Sequence, residues 1–261
     1  MSYAKKSLGQ NFLIDKNIIK KIINLSKILN KNIIEIGPGR GALTEEILKR
    51  KPKSLKIIEK DYVLAEKLKT KYIKNKIIKV YNEDILKFNI EKIINKDATV
   101  FGNLPYNISS QILVKLLKFK KWPPKYNNLI FMFQKELGEK IVGKFPSKNY
   151  GRISILSNFR LNTLGKFLVS PSCFQPKPKV ISMVIHFQPK QKVLFDIKKI
   201  DNLEMITNNF FSNKRKMINK NIKKLLSKNK INLISDLNLN LRPADINPNI
   251  YYKITKLYEE K

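Results

Sequence analysis

The stretch IIEIGPGRG at residues 33–41 decides the fold of this protein. Its first four residues have the largely apolar, β-branched character of a buried strand. The glycines that follow form a turn before a helical pattern that starts at Ala42. Glycine is needed where the backbone adopts a positive φ or lies close to a ligand. A strand, a glycine-rich turn and a helix in this order are typical of a nucleotide-binding α/β sheet.

Strands and helices alternate on both sides of that stretch. Residues 15–29 carry apolar side chains at helical spacing, and Asp15 is a fair N-cap for this helix. After the strand at 33–36, strands are predicted at 55–58, 77–81, 99–101 and 129–133, and helices at 42–50, 62–73, 109–119 and 135–143. This alternation predicts a mostly parallel, doubly wound sheet with helices on both faces.

The last part of the chain has a different character. Two β-like runs at 153–161 and 180–187 follow one another without a strong helical pattern between them. We expect them to form an antiparallel pair at one edge of the sheet. From about residue 190 to Tyr258 the sequence is helical and rich in lysine. We therefore predict an α/β domain at residues 1–189 and a small all-helical domain at residues 190–261.

Acidic residues follow the glycine turn where a ligand is expected. Glu59 ends the second strand 22 residues after Gly37, close to the ~20-residue spacing of a ribose-binding carboxylate. Asp84 ends the third strand, so three strand ends meet where open α/β sheets bind ligands. Glu35 precedes the glycines, and a carboxylate there repels phosphate but suits a cation. The pattern favours S-adenosylmethionine, which is cationic and has no phosphate, over a dinucleotide; a structural turn with solvated acids is the alternative.

The fourth strand runs into the tetrapeptide Asn-Leu-Pro-Tyr at residues 103–106. Asn and Pro both interrupt a strand that could simply continue, so chemistry explains them better than packing. The exocyclic amine of a nucleobase is a poor nucleophile because its lone pair is delocalised. The side-chain oxygen of Asn103 and the carbonyl of Leu104 can each accept an amine hydrogen and aim that lone pair at a methyl group. Pro105 fixes the backbone and Tyr106 can stack on the base, and no general base is required.

A loop with two prolines, FQPKPKV at residues 174–180, fits the same pocket. Two prolines favour an extended loop, and Phe174 at its start can close the other face of a flipped base. The alternative is that Phe174 is a core aromatic beneath the proline loop.

Composition limits the other classes of function. The 261 residues are 43% hydrophobic, enough for a sizeable core without disulfides. Because Cys173 and His186 are the only residues of their kinds, we expect no disulfide framework, no metal site and no histidine relay. The sequence has neither a transmembrane run nor an apolar signal segment at its start. We expect a cytoplasmic protein without membrane contact.

The net charge of +33 makes a polyanionic partner such as nucleic acid plausible. Only six of the 53 basic residues are arginine, and Lys, Asn and Ile all have A/T-rich codons, so compositional drift is an alternative. The densest basic cluster is expected on or near one helix of the C-terminal part. We call it the basic cluster; it comprises Lys214, Arg215, Lys216, Lys220, Lys223 and Lys224.

The motifs, taken together and in order, resemble those of the ribosomal RNA adenine dimethyltransferases. This family contains the kasugamycin-sensitivity enzyme of small-subunit RNA and the erythromycin-resistance methylases of large-subunit RNA. The likeness covers almost the whole chain. The motifs that carry it are GQNFL at 9–13, EIGPGRG at 35–41, Glu59, Asp84, FGNLPYNIS at 101–109, YGR at 150–152 and FQPKPKV at 174–180.

The resemblance implies a class I S-adenosylmethionine-dependent methyltransferase, Rossmann-like, with a small all-α C-terminal domain. It implies dimethylation of the exocyclic amines of two adjacent adenosines near the 3′ end of small-subunit (16S) ribosomal RNA. The implied partner is that RNA or an immature small subunit, and we expect a monomer. The implied cofactor contacts are Asn11, Leu13, Gly37, Glu59, Asp84 and Asn103. The implied target-base residues are Asn103, Leu104, Tyr106 and Phe174.

The form NLPYNIS and the segment FSNKRK at residues 211–216 favour the small-subunit branch of the family. Two residues depart from its pattern: Lys214 replaces a usual Arg, and Ile181 replaces a usual Asp. Lysine cannot grip a phosphate bidentately, so an RNA contact at Lys214 is less directional. Three alternatives stay open: a DNA adenine methyltransferase, which usually has Asp-Pro-Pro-Tyr; a non-catalytic ribosome-assembly factor; and a methylase of large-subunit RNA.

Overall fold

The computed structural model describes Lys5 and residues 8–260, and the chain folds into two compact units. The first unit contains the described residues up to Lys115, together with Pro123–Gly138 and Asn162–Pro189. The second contains Leu116–Trp122, Glu139–Leu161 and the described residues from Lys190 onward. A boundary near residue 190 stays a prediction, since the second unit also takes in two earlier segments.

The first unit is built on strands. β1 (Phe12–Leu13) forms a short antiparallel pair with β8 (Phe174–Gln175). The other strands are β2 (Asn32–Ile36), β3 (Ser54–Glu59), β4 (Ile78–Asn82), β5 (Ala98–Asn103), β6 (Tyr126–Gln134), β7 (Leu161–Val169) and β9 (Ser182–Pro189). They form one sheet in the order β4-β3-β2-β5-β6-β9-β7. The pairings from β4 to β6 are parallel and β9 is antiparallel to β6, which confirms the predicted parallel sheet.

Helices connect these strands at the predicted places, although the first ends at Ile23 rather than near Leu29. They are α1 (Lys16–Ile23), α2 (Ala42–Lys49), α3 (Tyr62–Lys71), α4 (Ser109–Leu117) and α5 (Lys135–Ile141). Asp15 caps α1, because its carboxylate accepts the N–H groups of Asn17 and Ile18, both at 2.9 Å. Apolar side chains of α1, α2 and α3 are buried together with sheet residues such as Leu55 and Phe101. Burying each such side chain contributes about 1.5–3 kcal/mol, so the sheet is a rigid base for its carboxyl edge.

The prediction of a strand at residues 153–161 is wrong. These residues belong to a helix, α6 (Arg152–Arg160), and the edge strand β7 begins only where α6 ends. The side chain of Ser154 accepts the N–H of Gly151 at 2.9 Å, and the hydroxyl of Ser157 donates to the carbonyl of Ile141 at 2.6 Å. The second predicted strand, at 180–187, is confirmed as β9, which lies between β6 and β7 in the sheet.

The chain beyond residue 190 is helical, as predicted. Its helices are α7 (Ile200–Phe211), α8 (Asn219–Lys223), α9 (Lys228–Asn232) and α10 (Pro248–Glu259). Tyrosine hydroxyls join this part to α6 and its preceding turn within the second unit: Tyr252 donates to the carbonyl of Ile155 at 3.0 Å, and Tyr150 donates to that of Ile246 at 2.8 Å. None of the helices in the described part of the chain combines the length and apolar character needed to span a membrane.

Candidate active site

A cavity of about 660 Å³ lies in the first unit, at the carboxyl ends of the parallel strands. This is the edge at which open α/β sheets bind ligands. Eight of the nine residues predicted to form the site line it: Asn11, Leu13, Gly37, Glu59, Asp84, Asn103, Leu104 and Tyr106. Phe174 is the exception, because it lies outside the cavity lining.

The glycine turn lines the cavity, and its backbone adopts conformations that other residues avoid. Gly37 and Gly39 have φ angles of +67° and +59°. A Cβ atom on Gly39 would also lie 2.8 Å from the ring of Phe12, closer than atoms can approach. Gly39 therefore has both a conformational and a steric reason to be glycine, and Gly37 has a conformational one.

Glu59 is buried and held in place by backbone donors. Its Oε2 accepts the N–H of Gly39 at 3.1 Å, and its Oε1 accepts the N–H of Asp61 at 2.8 Å. Burial raises the pKa of Glu59 above its ordinary value, although these two donors act in the opposite direction. The glycine turn and the end of β3 are thus fixed to one another through this carboxylate.

Asp84 lies two residues beyond β4 and is partly exposed to the cavity. Its Oδ2 forms an ion pair with Nζ of Lys60 at 2.9 Å, and its Oδ1 accepts the N–H of Leu86 at 2.9 Å. The hydrogen bond from Lys60 lowers the pKa of Asp84, so this carboxyl is ionised at neutral pH. Lys60 was not predicted from the sequence; its position directly after Glu59 was the available signal.

Glu35 is the most deeply buried acid of the cavity wall, at 1% exposure. Its Oε2 accepts the hydroxyl of Thr44 at 2.6 Å, whereas its Oε1 has no hydrogen-bond partner among the described residues. Burial raises the pKa of Glu35 to about 7. An unsatisfied buried carboxylate oxygen is costly without a donor or a cation. The wall therefore fits a ligand with a positively charged group, and its carboxylate repels phosphate.

The Asn-Leu-Pro-Tyr segment lies at the rim of the same cavity. Nδ2 of Asn103 donates to the backbone carbonyl of Asn11 at 3.0 Å, which fixes the orientation of the amide. Leu104 is 2% exposed, and a Cβ on Gly102 would lie 2.5 Å from its Cδ2. Gly102 therefore belongs to the site because it makes room for the Leu104 side chain.

Tyr106 is anchored by a residue from a distant strand. Its hydroxyl shares a hydrogen bond of 2.5 Å with the hydroxyl of Ser182, at the start of β9. Burial raises the pKa of Tyr106, so the hydroxyl is neutral. Nothing in the local sequence around Tyr106 indicates Ser182 as its partner, since 76 positions separate the two residues.

The family model of the ribosomal RNA adenine dimethylases matches residues 1–260 of the chain. The chain belongs to this family. The protein of Pelagibacter ubique named ribosomal RNA small subunit methyltransferase A is 44% identical over 258 residues, 98% of this chain and 97% of that protein. The protein of the same name from Malacoplasma penetrans is 37% identical over 97% of this chain and 91% of its own length.

Solved structures agree with this membership of the dimethylase family. A dimethyladenosine transferase from Plasmodium falciparum superposes with a TM-score of 0.72 at 25% identity, over 93% of this chain and 95% of that one. The 23S ribosomal RNA methyltransferase ErmE superposes with a TM-score of 0.68 at 20% identity, over 95% of this chain and all of that one, a likeness of fold alone. The predicted fold class, an α/β class I methyltransferase, is confirmed.

As a ribosomal RNA adenine dimethylase, the chain is an enzyme, and S-adenosylmethionine is its methyl donor. The chemistry of the cavity fits this donor: the carboxylates of Glu35, Glu59 and Asp84 line it, and the buried oxygen of Glu35 lacks a partner among the described residues. The assignment of single residues to the donor and to the target base remains a proposal.

Proposed function

We propose that the enzyme dimethylates the exocyclic amines of two adjacent adenosines near the 3′ end of small-subunit ribosomal RNA. The names of its relatives from Pelagibacter ubique and Malacoplasma penetrans support the small subunit as the source of the RNA. The NLPYNIS form of the segment that starts at Asn103 and the basic residues at 214–216 support the same choice.

The fixed orientation of Asn103 carries the proposal. Because its amide nitrogen donates to the carbonyl of Asn11 at 3.0 Å, its Oδ1 is directed away from that bond and is available as an acceptor. The carbonyl of Leu104 is the second acceptor for the same target amine. Two acceptors hold two N–H bonds, and the nitrogen lone pair is then directed at the methyl donor.

The residues at the strand ends contact different parts of the methyl donor. In this assignment Asp84 accepts the amine of its adenine, Glu59 binds its ribose, and the backbone at Gly37 lies against its methionine part. Asn11 and Leu13 cover it, and both line the cavity. The partnerless oxygen of Glu35 suits the ammonium group.

The chemistry of transfer consists mainly of positioning. S-adenosylmethionine supplies an electrophilic methyl group on a sulfonium. The residues of the chain hold the target nitrogen in line with that methyl and exclude water. Once methylated, the nitrogen is strongly acidic and loses its proton without a dedicated base, and the single histidine, His186, lies outside the cavity lining.

Tyr106 and Phe174 have different surroundings, and their proposed roles in the base pocket differ accordingly. Tyr106 lines the cavity, and its bond to Ser182 keeps the ring in position to stack on the base. Phe174 is 3% exposed and packs in the hydrophobic cluster that also contains Leu13 and Cys173. In this assignment Phe174 closes the base pocket only after it leaves that packing.

We place the RNA-contacting surface in the helical part from residue 190 onward. Lys214, Arg215 and Lys216 lie in the turn after α7, and the rest of the basic cluster lies on or directly after α8. All six side chains are exposed. Among the described residues, none of the six forms an ion pair with an acidic side chain. We also propose that the enzyme is a cytoplasmic monomer that acts on an immature small subunit.

One experiment tests the proposal. Small-subunit particles and large-subunit RNA, each without its adenine methylation, are incubated with the protein and isotopically labelled S-adenosylmethionine, and the RNA is analysed by mass spectrometry. We expect labelled dimethyladenine at two neighbouring positions near the 3′ end of small-subunit RNA. Label in large-subunit RNA, or binding without label, would contradict the proposal.

A further inference from the structure

A short N-terminal segment, residues 8–13, crosses the cavity, and we call it the strap. All six of its residues line the cavity. Its C-terminal half is held at three points: the carbonyl of Asn11 accepts from Asn103, the ring of Phe12 packs on Gly39, and β1 pairs with β8. These contacts fix one half of the strap to the glycine turn and the rim of the cavity.

The other half of the strap is held by Asp61. Nε2 of Gln10 donates to Oδ2 of Asp61 at 3.0 Å, and Nζ of Lys5 donates to Oδ1 at 3.1 Å. The backbone N–H of Lys5 in turn donates to Oε1 of Gln10 at 2.8 Å. Asp61 is only 4% exposed, so these bonds form around a buried carboxylate.

Asp61 also contacts the end of β3 and the start of α3. It lies two residues after the end of β3, and its side chain caps α3 by accepting the N–H of Val63 at 3.0 Å. Its own N–H donates to Oε1 of Glu59 at 2.8 Å. One residue therefore joins the strap to the carboxylate that we assign to the ribose.

The charge on Asp61 makes this junction strong. Burial opposes its ionisation, but the hydrogen bonds from Lys5 and Gln10 outweigh burial and hold the pKa of this carboxyl below its ordinary value. Hydrogen bonds to an ionised acceptor are stronger than those between neutral groups. Without the carboxylate, the N-terminal segment has neither of these two hydrogen bonds.

We propose that Asp61 is a positioning residue that fastens the strap over the cofactor cavity and so slows the release of S-adenosylmethionine. The inference rests on the proposed contacts of Asn11 and Leu13 with the methyl donor, since the strap carries both. Neither the family membership nor the proposed contacts assign Asp61 a role.

Two substitutions separate this role from the stability of α3. In Asp61→Ser the hydroxyl can still cap the helix, but the shorter side chain does not reach Gln10. Gln10→Ala breaks the strap contact and leaves the cap intact. Asp15→Ser is the matched control, because it makes the same exchange at the N-cap of α1, where the carboxylate accepts from Asn17 and Ile18.

The measurements are hydrogen exchange of the strap amides by mass spectrometry and the affinity and dissociation rate of S-adenosylmethionine. We expect Asp61→Ser to speed exchange in residues 8–13 and to weaken cofactor affinity about tenfold through faster dissociation, the effect of removing a charged hydrogen bond. Gln10→Ala should act in the same direction. The KM for the cofactor should rise while kcat at saturation changes little, and Asp15→Ser should change neither quantity.

Unchanged exchange of the strap amides in Asp61→Ser would overturn the inference. So would faster exchange with unchanged cofactor affinity, because the strap would then be fastened by Asp61 without holding the cofactor. A failure of the proposed function has a different signature: the wild-type protein itself would not bind S-adenosylmethionine. The exchange rates would still decide whether Asp61 fastens the strap.

Discussion

The cofactor cavity and the basic cluster are built in opposite ways. In the cavity the carboxylates of Glu35, Glu59 and Asp84 are buried or partly buried, and each accepts at least one hydrogen bond from the chain. In the basic cluster six cationic side chains are exposed, and within the described part of the chain they form no ion pairs. The side chains of the cavity are held in place by hydrogen bonds within the chain, whereas those of the basic cluster offer exposed positive charge.

This difference has a consequence for substitutions. A buried hydrogen-bonded group has defined partners, and its removal leaves one of them unsatisfied in a place that water does not reach. An exposed cation acts through phosphate contacts that are screened by salt and that add up over many residues. Changes in the cavity should therefore be large and local, and changes in the basic cluster small, additive and dependent on salt.

The largest effect is expected at the rim of the cavity, for Asn103→Ala. The substitution removes an acceptor of the target amine, and removing one such preorganised group lowers turnover on the order of 10²-fold. Methyl transfer is measured with labelled cofactor on small-subunit particles, and RNA binding should change little. Asn95→Ala, at an exposed asparagine, is the control. Turnover within about threefold of wild type would rule out the proposed role.

The pH dependence of the free energy of unfolding tests the raised pKa of Glu35. Its pKa is raised from 4.5 to about 7 in the folded chain. Protonated Glu35 makes its full contribution to stability below pH ~4.5, and this contribution is lost as the pH rises through ~7. The free energy of unfolding should therefore fall by about 2–3 kcal/mol between about pH 5 and pH 8. Glu35→Gln is neutral throughout, so urea unfolding of this variant should lack that part of the decline. An equal decline in both proteins would contradict the assignment.

A smaller effect is expected at the partly exposed acid, for Asp84→Ala. Removal of the carboxylate leaves the adenine amine of the cofactor without its acceptor, at a cost of about 1–3 kcal/mol. Calorimetry should show S-adenosylmethionine binding weakened roughly tenfold or more, with the fold intact by circular dichroism. Asp196→Ala, at an exposed acid, is the control, and equal affinity of Asp84→Ala and wild type would mean that the cofactor binds elsewhere.

The same contrast explains what could be predicted from the sequence. Glu59 and Asn103 end strands, and the glycine turn and Asp84 come shortly after strands, each with a clear local pattern. Parallel strands bring their carboxyl ends together whatever the details of packing. Contacts between distant segments were not predictable: the bond of Ser182 to Tyr106, and that of Asp61 to Gln10, depend on the complete fold.

The helix α6 shows a second limit. Isoleucines at 153 and 155 alternate with polar residues, as they do in a strand, and β-branched residues favour strands. In the structure most of α6 is buried, including Ser154 and Ser157, so no polar face marks the helical period. A buried helix and a strand cannot be distinguished by periodicity alone in so short a run.

The smallest effect is expected in the basic cluster, for the double substitution Arg215→Ala and Lys216→Ala. Removing each phosphate contact should weaken RNA binding across sequences and reduce the slope of log affinity against log salt by about one unit. Lys74→Ala with Lys76→Ala is the matched control, since it removes the same charge from exposed positions of the first unit. Binding to small-subunit particles is titrated at several salt concentrations.

If both pairs change the slope equally, net charge alone attracts the RNA; if neither does, the lysines reflect codon composition. A change confined to residues 215 and 216 is the expected result, because only these two lie in the family-like segment. Cofactor affinity should stay at the wild-type value in both variants, since none of the four residues lines the cavity.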